Sequence, residues 1–265
     1  MSHLYGGSAG MGMKLRAGAV LGLALTLGLA GVCAAQTASS TPAAKPAATT
    51  KTASAKTAAK PKADSAVSAV PNKAIGNPNA PIKMEVFSDY ECPSCGNFYE
   101  TTLKTLISTY VADGKVYLVH HDFPLQMHRY SGEAARYANA AAKMGKFQDV
   151  DAALFDNQAA WTESGDVAKY VKGALSPADF TRVQTILGGC TAAPPQSKAD
   201  GSMPEPQATC SVDKYIVEDI GAGYKVPVRG TPTFVISYKG KPYSPMGSPV
   251  TWQVLKQFFD SLLSQ

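Results

Sequence analysis

The spacing of apolar residues changes several times along this chain, and each change marks an element. Pro78 and Pro81 close an irregular approach, after which residues 82–88, "IKMEVFS", alternate: Met84 and Val86 on one face, Glu85 and Phe87 on the other. That alternation predicts a short strand. From Pro93 the period lengthens. Phe98, Leu103, Leu106, Ile107, Tyr110 and Val111 fall close to helical spacing and stop at Gly114, which predicts a helix. Residues 115–125, "KVYLVHHDFPL", read as a second strand. Strand, helix, strand is a βαβ unit, so the two strands should be parallel with a right-handed crossover.

Residues 129–189 carry no strand signal. "SGEAARYANAAAKMG" and "KFQDVDAALFDNQAAW" read as helical, and "SPADFTRVQTILGG" opens with Ser176 as an N-cap and Pro177 at the first helical position. This is an all-helical insert. After a Pro-rich loop, "SVDKYIVEDIGAGY" reads as another helix, "TPTFVISYKGKPYSP" as a hairpin turning near Lys239 and Gly240, and "TWQVLKQFFDSLL" as an amphipathic closing helix.

The start of the chain is different in kind. Lys14 and Arg16 precede the uncharged run "AGAVLGLALTLGLAGV" and the small residues of "CAAQ", the order of a secretory signal peptide, assigned here to residues 1–35. A spanning helix needs roughly 20 apolar residues, so an uncleaved membrane anchor is the second reading. Met13 is a candidate start, and Cys33 is expected to leave with the leader. Residues 36–71 are almost wholly Ala, Thr, Ser, Lys and Pro, with nothing larger than Val to bury, which predicts a disordered tether. The expected domains are therefore residues 72–128, the helical insert at 129–210, and 211–265.

Charge changes the picture only by its location. The net charge is +5 over 265 residues. Residues 1–71 hold seven cations (Lys14, Arg16, Lys45, Lys51, Lys56, Lys60, Lys62) against Asp64, which leaves the rest of the chain one charge negative. The folded part lacks the cationic excess that phosphate contacts require, so no nucleic-acid partner is expected.

The candidate chemistry lies in "SDYECPSCGNFYE", residues 88–100, where Cys92 and Cys95 stand two residues apart as a strand feeds a helix. Three readings compete. As a redox pair, Cys92 at the helix N-terminus meets free backbone N–H groups and the positive end of the dipole, and should be the more acidic thiol. Pro93 suits the first helical position, and Cys95, about one turn on, lies within disulfide range. As a zinc knuckle the pair needs two further ligands, yet Cys190 and Cys210 are far apart in sequence, and the neighbours His120 and His121 point to opposite faces of a strand. As a purely structural bridge, so tight a loop would restrain the unfolded chain little.

Downstream stands "VPVRGTPTFVI". Gly230-Thr231-Pro232 before a strand is where a cis proline would bend the chain and lay the Thr231 backbone near the cysteines, although taken alone Thr-Pro fits an ordinary trans turn. Combined with CxxC, the βαβ unit and the terminal hairpin plus helix, the chain resembles the DsbA-like thiol-disulfide oxidoreductases of the thioredoxin superfamily. The resemblance runs over about residues 75–264, through "FSDYECPSC", "HDFPLQMH", the helical insert and "VRGTPTFVI". It implies an α/β fold, a thioredoxin fold with a central mixed sheet flanked by helices and split by an inserted all-helical domain. It also implies Cys92 as attacking thiol, Cys95 as resolving partner, and Thr231-Pro232 as a cis-proline loop beside them.

The sequence departs from the family in three places. The central dipeptide, Pro93-Ser94, lacks the histidine of the best-known members, which removes a thiolate-stabilising cation. The family's buried strand acid falls on Glu85, with a spacing to Cys92 one residue longer than in the best-known member. A loop, "CTAAPPQSKADGSMPEPQATC", is closed by Cys190 and Cys210, which in an exported chain favours a structural disulfide worth about 3 kcal/mol in the entropic account.

The resulting expectation is an exported, periplasmic or extracytoplasmic monomer that forms disulfides in reduced client proteins and is reoxidised by a redox partner, without metal or organic cofactor. The alternatives are a reductase or isomerase of the same fold, a peptide-binding holdase indifferent to the thiols, and a copper-handling relative in which Met246 or His128 reaches the pair.

Overall fold

In a computed structural model, Val67 and residues 71–265 are described; the predicted leader, the tether up to residue 70 and Cys33 lie outside the described residues. Among the described residues no helix is long and apolar enough to cross a membrane.

A mixed sheet organises the fold. Strand β2 (Ile82–Ser88) pairs in parallel with β3 (Val116–Asp122), in the register Val86 opposite His120. On its other edge β2 pairs antiparallel with β4 (Thr233–Tyr238), Val86 opposite Phe234. Strand β5 (Lys241–Pro242), the second arm of the predicted hairpin, pairs with β4, and two short strands that the apolar pattern does not reveal complete the edges: β1 (Ala74–Ile75) on β3 and β6 (Met246–Gly247) on β4. Lys239 and Gly240 both take positive φ, 49° and 80°, and form the predicted turn between β4 and β5.

The helix between β2 and β3 runs without a break from Pro93 to Val111, but not as a regular α-helix. Segments α1 (Pro93–Phe98) and α2 (Lys104–Leu106) are each followed by a π-helical stretch, Tyr99–Leu103 and Ile107–Val111. The wider turns place Phe98, Tyr99, Leu103, Leu106 and Tyr110 all in the core.

The two faces of the sheet are covered differently, and that decides the chemistry below. On the face of Val86, Phe98 of α1 packs against Phe234 of β4, ring centroids 4.6 Å apart, and Tyr110 meets Phe259 of the closing helix α9 (Trp252–Leu263). On the face of Phe87 lies helix α8 (Asp213–Lys225). Gly223 makes that approach possible, since a Cβ there would stand 3.3 Å from the Phe87 ring and still closer to Phe123.

Between β3 and α8 come five helices: α3 (Ser131–Ala142), α4 (Phe147–Asp156), α5 (Gln158–Ser164), α6 (Val167–Ala174) and α7 (Pro177–Leu187). They share a core of Val150, Leu154, Trp161, Val171 and Val183, and Ser176 caps α7 by accepting from the Asp179 N–H as predicted. Cys190 and Cys210 are joined in a disulfide. The loop they close is not the loosely held insertion the composition suggests. Ser197 N–H donates to the Pro124 carbonyl at 2.7 Å, Gln196 donates to the carbonyls of Leu125 and His128, and Arg136 donates to that of Ala192. Backbone and amide hydrogen bonds tie down a segment that has few apolar residues to bury.

Candidate active site

The two CxxC sulfurs sit where β2 ends and α1 begins. Cys92 is the N-cap residue, in extended conformation (φ −71°, ψ 121°), and Pro93 occupies the first helical position. The Cys95 and Gly96 N–H groups donate to the Cys92 carbonyl at 3.0 and 3.1 Å. Both thiols are free, and they are unequal: Cys92 keeps 7% of its surface exposed and Cys95 1%.

The hydrogen bond from Cys95, with further donors from Thr231 and the backbone N–H groups of Cys95 and Ser94, holds the Cys92 thiol down to about 5. Burial pushes the Cys95 thiol well above its ordinary range. At neutral pH Cys92 is therefore the thiolate and Cys95 the thiol. Cys92 is less open than a reactive thiol reads from sequence, because Gln158 of α5 covers the start of the helix, donating to the carbonyls of Tyr90 (2.6 Å) and Cys92 (2.9 Å).

Thr231-Pro232 is a cis peptide, and the Cys92 thiol, when protonated, donates to the Thr231 carbonyl at 3.3 Å. The Thr231 hydroxyl is buried and, among the described residues, makes no hydrogen bond of ordinary geometry, yet it lies near enough to the Cys92 sulfur to help lower its pKa. Thr231→Val should accordingly raise the Cys92 pKa from about 5 toward the free-thiol range. Thiolate absorbance titrated against pH would read it; an unmoved midpoint would show that the hydroxyl contributes nothing.

Asp89, which the sequence did not single out, completes the site, together with His128, which the sequence reading named only for a copper-handling relative. Asp89, 1% exposed, links it together. Its backbone carbonyl accepts from the Cys92 N–H and its N–H reaches the Cys95 sulfur at 3.5 Å. Its carboxylate takes the N–H groups of Glu91 and Leu125 and the Nδ1 of His128 at 2.7 Å. That bond, together with the nearby Cys92 charge, raises the His128 pKa. An imidazole missing from the central dipeptide is thus brought near the site from the loop after β3. The available signal was the histidine that ends "HDFPLQMH", a segment through which the resemblance to the DsbA-like proteins runs.

Glu85 does not join the site, which corrects the role that the resemblance assigned to it. It lies on the Phe87 face of the sheet, bonded to His121 at 3.1 Å and Lys83 at 3.0 Å, while Cys95 borders Val86 and Ser88 on the other face. The one-residue difference in spacing is the reason: side chains alternate along a strand, so an odd shift sends the acid through the sheet. His121, bonded also to Asp219 at 2.7 Å, is raised to about 9 against the opposing effect of burial, and its proton holds Glu85 down to about 2.

Cys190, Cys210 and Asp213 come close enough together to suggest an ion site, but the two sulfurs are bonded to each other, and Asp213 forms a paired bond with Arg136 at 2.8 Å. Thiolate ligands are not on offer there.

A family model described as Thioredoxin matches residues 68–258, over 70% of the sequence. The chain belongs to the thioredoxin family. Among solved structures, BdbD from Bacillus subtilis in its oxidised form aligns with a TM-score of 0.55 at 18% identity, covering 76% of this chain and all of that one. The α-DsbA1 protein of Wolbachia pipientis gives 0.52 at 20%, over 73% and 91% of the two chains. A thioredoxin-like oxidoreductase from Silicibacter pomeroyi DSS-3 gives 0.53 at 23%, over 74% and 94%. The fold is thus that of the DsbA-like proteins. Curated relatives are more distant in architecture: Na(+)/H(+) antiporter NhaA 1 of Mycobacterium sp. strain KMS is 38% identical over 84 residues, 31% of this chain, and the match spans only 13% of that protein.

Proposed function

We propose that this protein is an exported thiol-disulfide oxidoreductase that forms disulfide bonds in extracytoplasmic client proteins. The observation that carries the reading is the asymmetry of the two thiols under the Thr231 carbonyl: an acidic Cys92 at the surface edge, a buried protonated Cys95 behind it. In the oxidising direction a client thiolate attacks the Cys92 sulfur of the Cys92–Cys95 disulfide, and Cys95 leaves. A second client thiolate then attacks the client sulfur of the mixed disulfide, and Cys92 leaves as a stabilised thiolate. A low pKa on the leaving sulfur favours the reduced enzyme, and with it net oxidation of clients.

Thr231-Pro232, Pro93 and Ser94 are assigned as the surface against which the client backbone lies. An open groove of about 860 Å3 lies beside the residues leading into Thr231, lined in part by Phe123, Met127, Tyr224 and Arg229, and is the assigned path for the client chain. Met127, 82% exposed, gives that path an apolar contact.

Equilibration of the Cys92–Cys95 pair with glutathione buffers tests the direction. A midpoint more oxidising than the roughly −200 to −230 mV of glutaredoxins supports the oxidase. A midpoint near the about −270 mV of thioredoxin would instead make it a reductase.

A further inference from the structure

We propose that Asp151, on helix α4 of the inserted helices, exchanges the proton of the Cys95 thiol during disulfide exchange. The inference rests on the dithiol reading above and adds a residue to it from a different part of the fold.

Cys95 must shed a proton each time it attacks and recover one each time it leaves. It is 1% exposed, so bulk water cannot do this directly, and Glu85 is on the far side of the sheet. On Cys95's own side lies a cavity of about 20 Å3, walled mainly by apolar side chains such as Phe98, Leu118 and Phe147, with Cys95, Ser88, His120, Lys73 and Asp151 as the polar groups in its lining. That is room for one water molecule, which needs polar partners, and the cavity wall supplies them.

The position of Asp151 is itself informative. Phe147, Asp151 and Phe155 are four residues apart on α4, so the acid occupies the middle of an apolar column. Phe155 packs on Tyr90 and Tyr99, and Phe147 on His120, so the carboxylate is enclosed by rings. An apolar residue would stabilise this position better, and a rule broken in a well-packed column points to function.

Other groups face Asp151 from every side. The Tyr90 hydroxyl donates to its Oδ1 at 3.0 Å, and His120 Nδ1 stands 3.8 Å away with Tyr90 stacked on its ring. His120 Nε2 in turn meets Asp122 at 3.3 Å, and Asp122 is paired with Lys73. Tyr99 from the first helix and Asp156 from α4 are the remaining titratable neighbours. Burial raises the Asp151 carboxyl to about 6, against the pull of His120 and Tyr90, which poises it to give and take protons near neutrality.

In the attacking direction the Cys95 S–H proton passes through the cavity to the Asp151 carboxylate. The Cys95 thiolate then forms the S–S bond to Cys92 as the bond from Cys92 to its partner sulfur breaks and that partner departs with the electron pair. In the reverse direction the Cys95 thiolate leaves and takes the proton back from the Asp151 carboxylic acid.

Reaction of the reduced protein with 5,5′-dithiobis(2-nitrobenzoic acid) separates the steps, because attack by Cys92 releases one coloured thiolate and resolution by Cys95 releases a second. In the wild type the second phase should rise with pH through about 6 and level off. Asp151→Asn should leave the first phase and the Cys92 thiolate titration in place, slow the second phase at least tenfold at neutral pH, and replace the plateau by a steady rise with hydroxide. Asp151→Glu should restore part of the plateau. A second phase unchanged in Asp151→Asn would overturn the proposal, as would a wild-type second phase with no inflection near 6, a measurement that needs no variant to fold. Absence of the first phase in the wild type would instead overturn the dithiol reading beneath it.

Discussion

Cys92→Ser is expected to lose exchange with client proteins altogether, and Cys95→Ser is expected to accumulate clients covalently attached to Cys92. The difference follows from geometry. Cys92 alone reaches the surface edge and alone is a thiolate at neutral pH, so it alone can form the mixed disulfide. Cys95, behind it, exchanges only with Cys92, leaving when a client attacks and resolving the mixed disulfide in the reverse direction. Non-reducing electrophoresis of the two reduced variants after incubation with an unfolded substrate that carries disulfide bonds reads both outcomes, since the Cys92 thiolate then has a client disulfide to attack. Equal trapping by Cys92→Ser and Cys95→Ser would mean that the second thiol also reaches clients. Activity surviving in Cys92→Ser would favour a thiol-independent holdase working through the groove beside Thr231.

The second large effect is on stability. Lys73, 9% exposed, pairs with both Asp122 and Asp219 beneath the site. Burial works to lower its pKa, but the two carboxylates outweigh that and push it up to about 12. Lys73→Met keeps the volume of the stem but leaves buried Asp122 without its lysine and Asp219 with His121 alone, and removing one partner of a buried pair typically costs about 3–5 kcal/mol.

The loss should depend on pH in a stated direction. Asp122 and Asp219 are held below their ordinary range in the folded protein despite burial, so their contribution is present above that range and fades as pH falls. The deficit of Lys73→Met should therefore be large at neutral pH and shrink near about pH 4, where the orphaned carboxylates take up protons. His121, raised to about 9, acts in the opposite sense: its contribution is complete below about 6.5 and is lost as pH rises through 9. Urea unfolding across that range gives both slopes, and a pH-independent deficit would show that packing rather than charge is what Lys73 supplies.

Much of this arrangement was written locally. The alternation of Ile82–Ser88 placed β2, the helical spacing from Phe98 to Val111 placed the following helix, and Ser176-Pro177 placed the start of α7. Those signals survive because each depends on residues a few positions apart, where propensity and capping act directly. The position of Cys92 at a helix N-cap belongs to the same class, since a strand running into a Pro-initiated helix fixes it, whereas the full inequality of the two thiols also needs the burial of Cys95 and the distant Thr231.

Other features depend on distant segments meeting, which no local pattern encodes. His128 reaches the site through the Asp89 carboxylate, Gln158 covers the helix start from the inserted helices, and Lys73 joins strand β3 to helix α8. The tied-down course of the loop between Cys190 and Cys210 came from hydrogen bonds to residues over 70 positions away, invisible in a composition of Pro, Ala, Ser and Gly.

Asp151 falls between the two classes. The helix that carries Phe147, Asp151 and Phe155 was read from the sequence, but the burial of the acid and the thiol across from it came only with the structure. By itself, then, the sequence determined the strands, the long helix and the dithiol at its start, because these follow from periodicity and backbone capping. Which acid serves that dithiol was decided only by the tertiary structure. The alternation of side chains along β2 sends Glu85 to the wrong face, and the packing of α4 onto the sheet brings Asp151 to the right one.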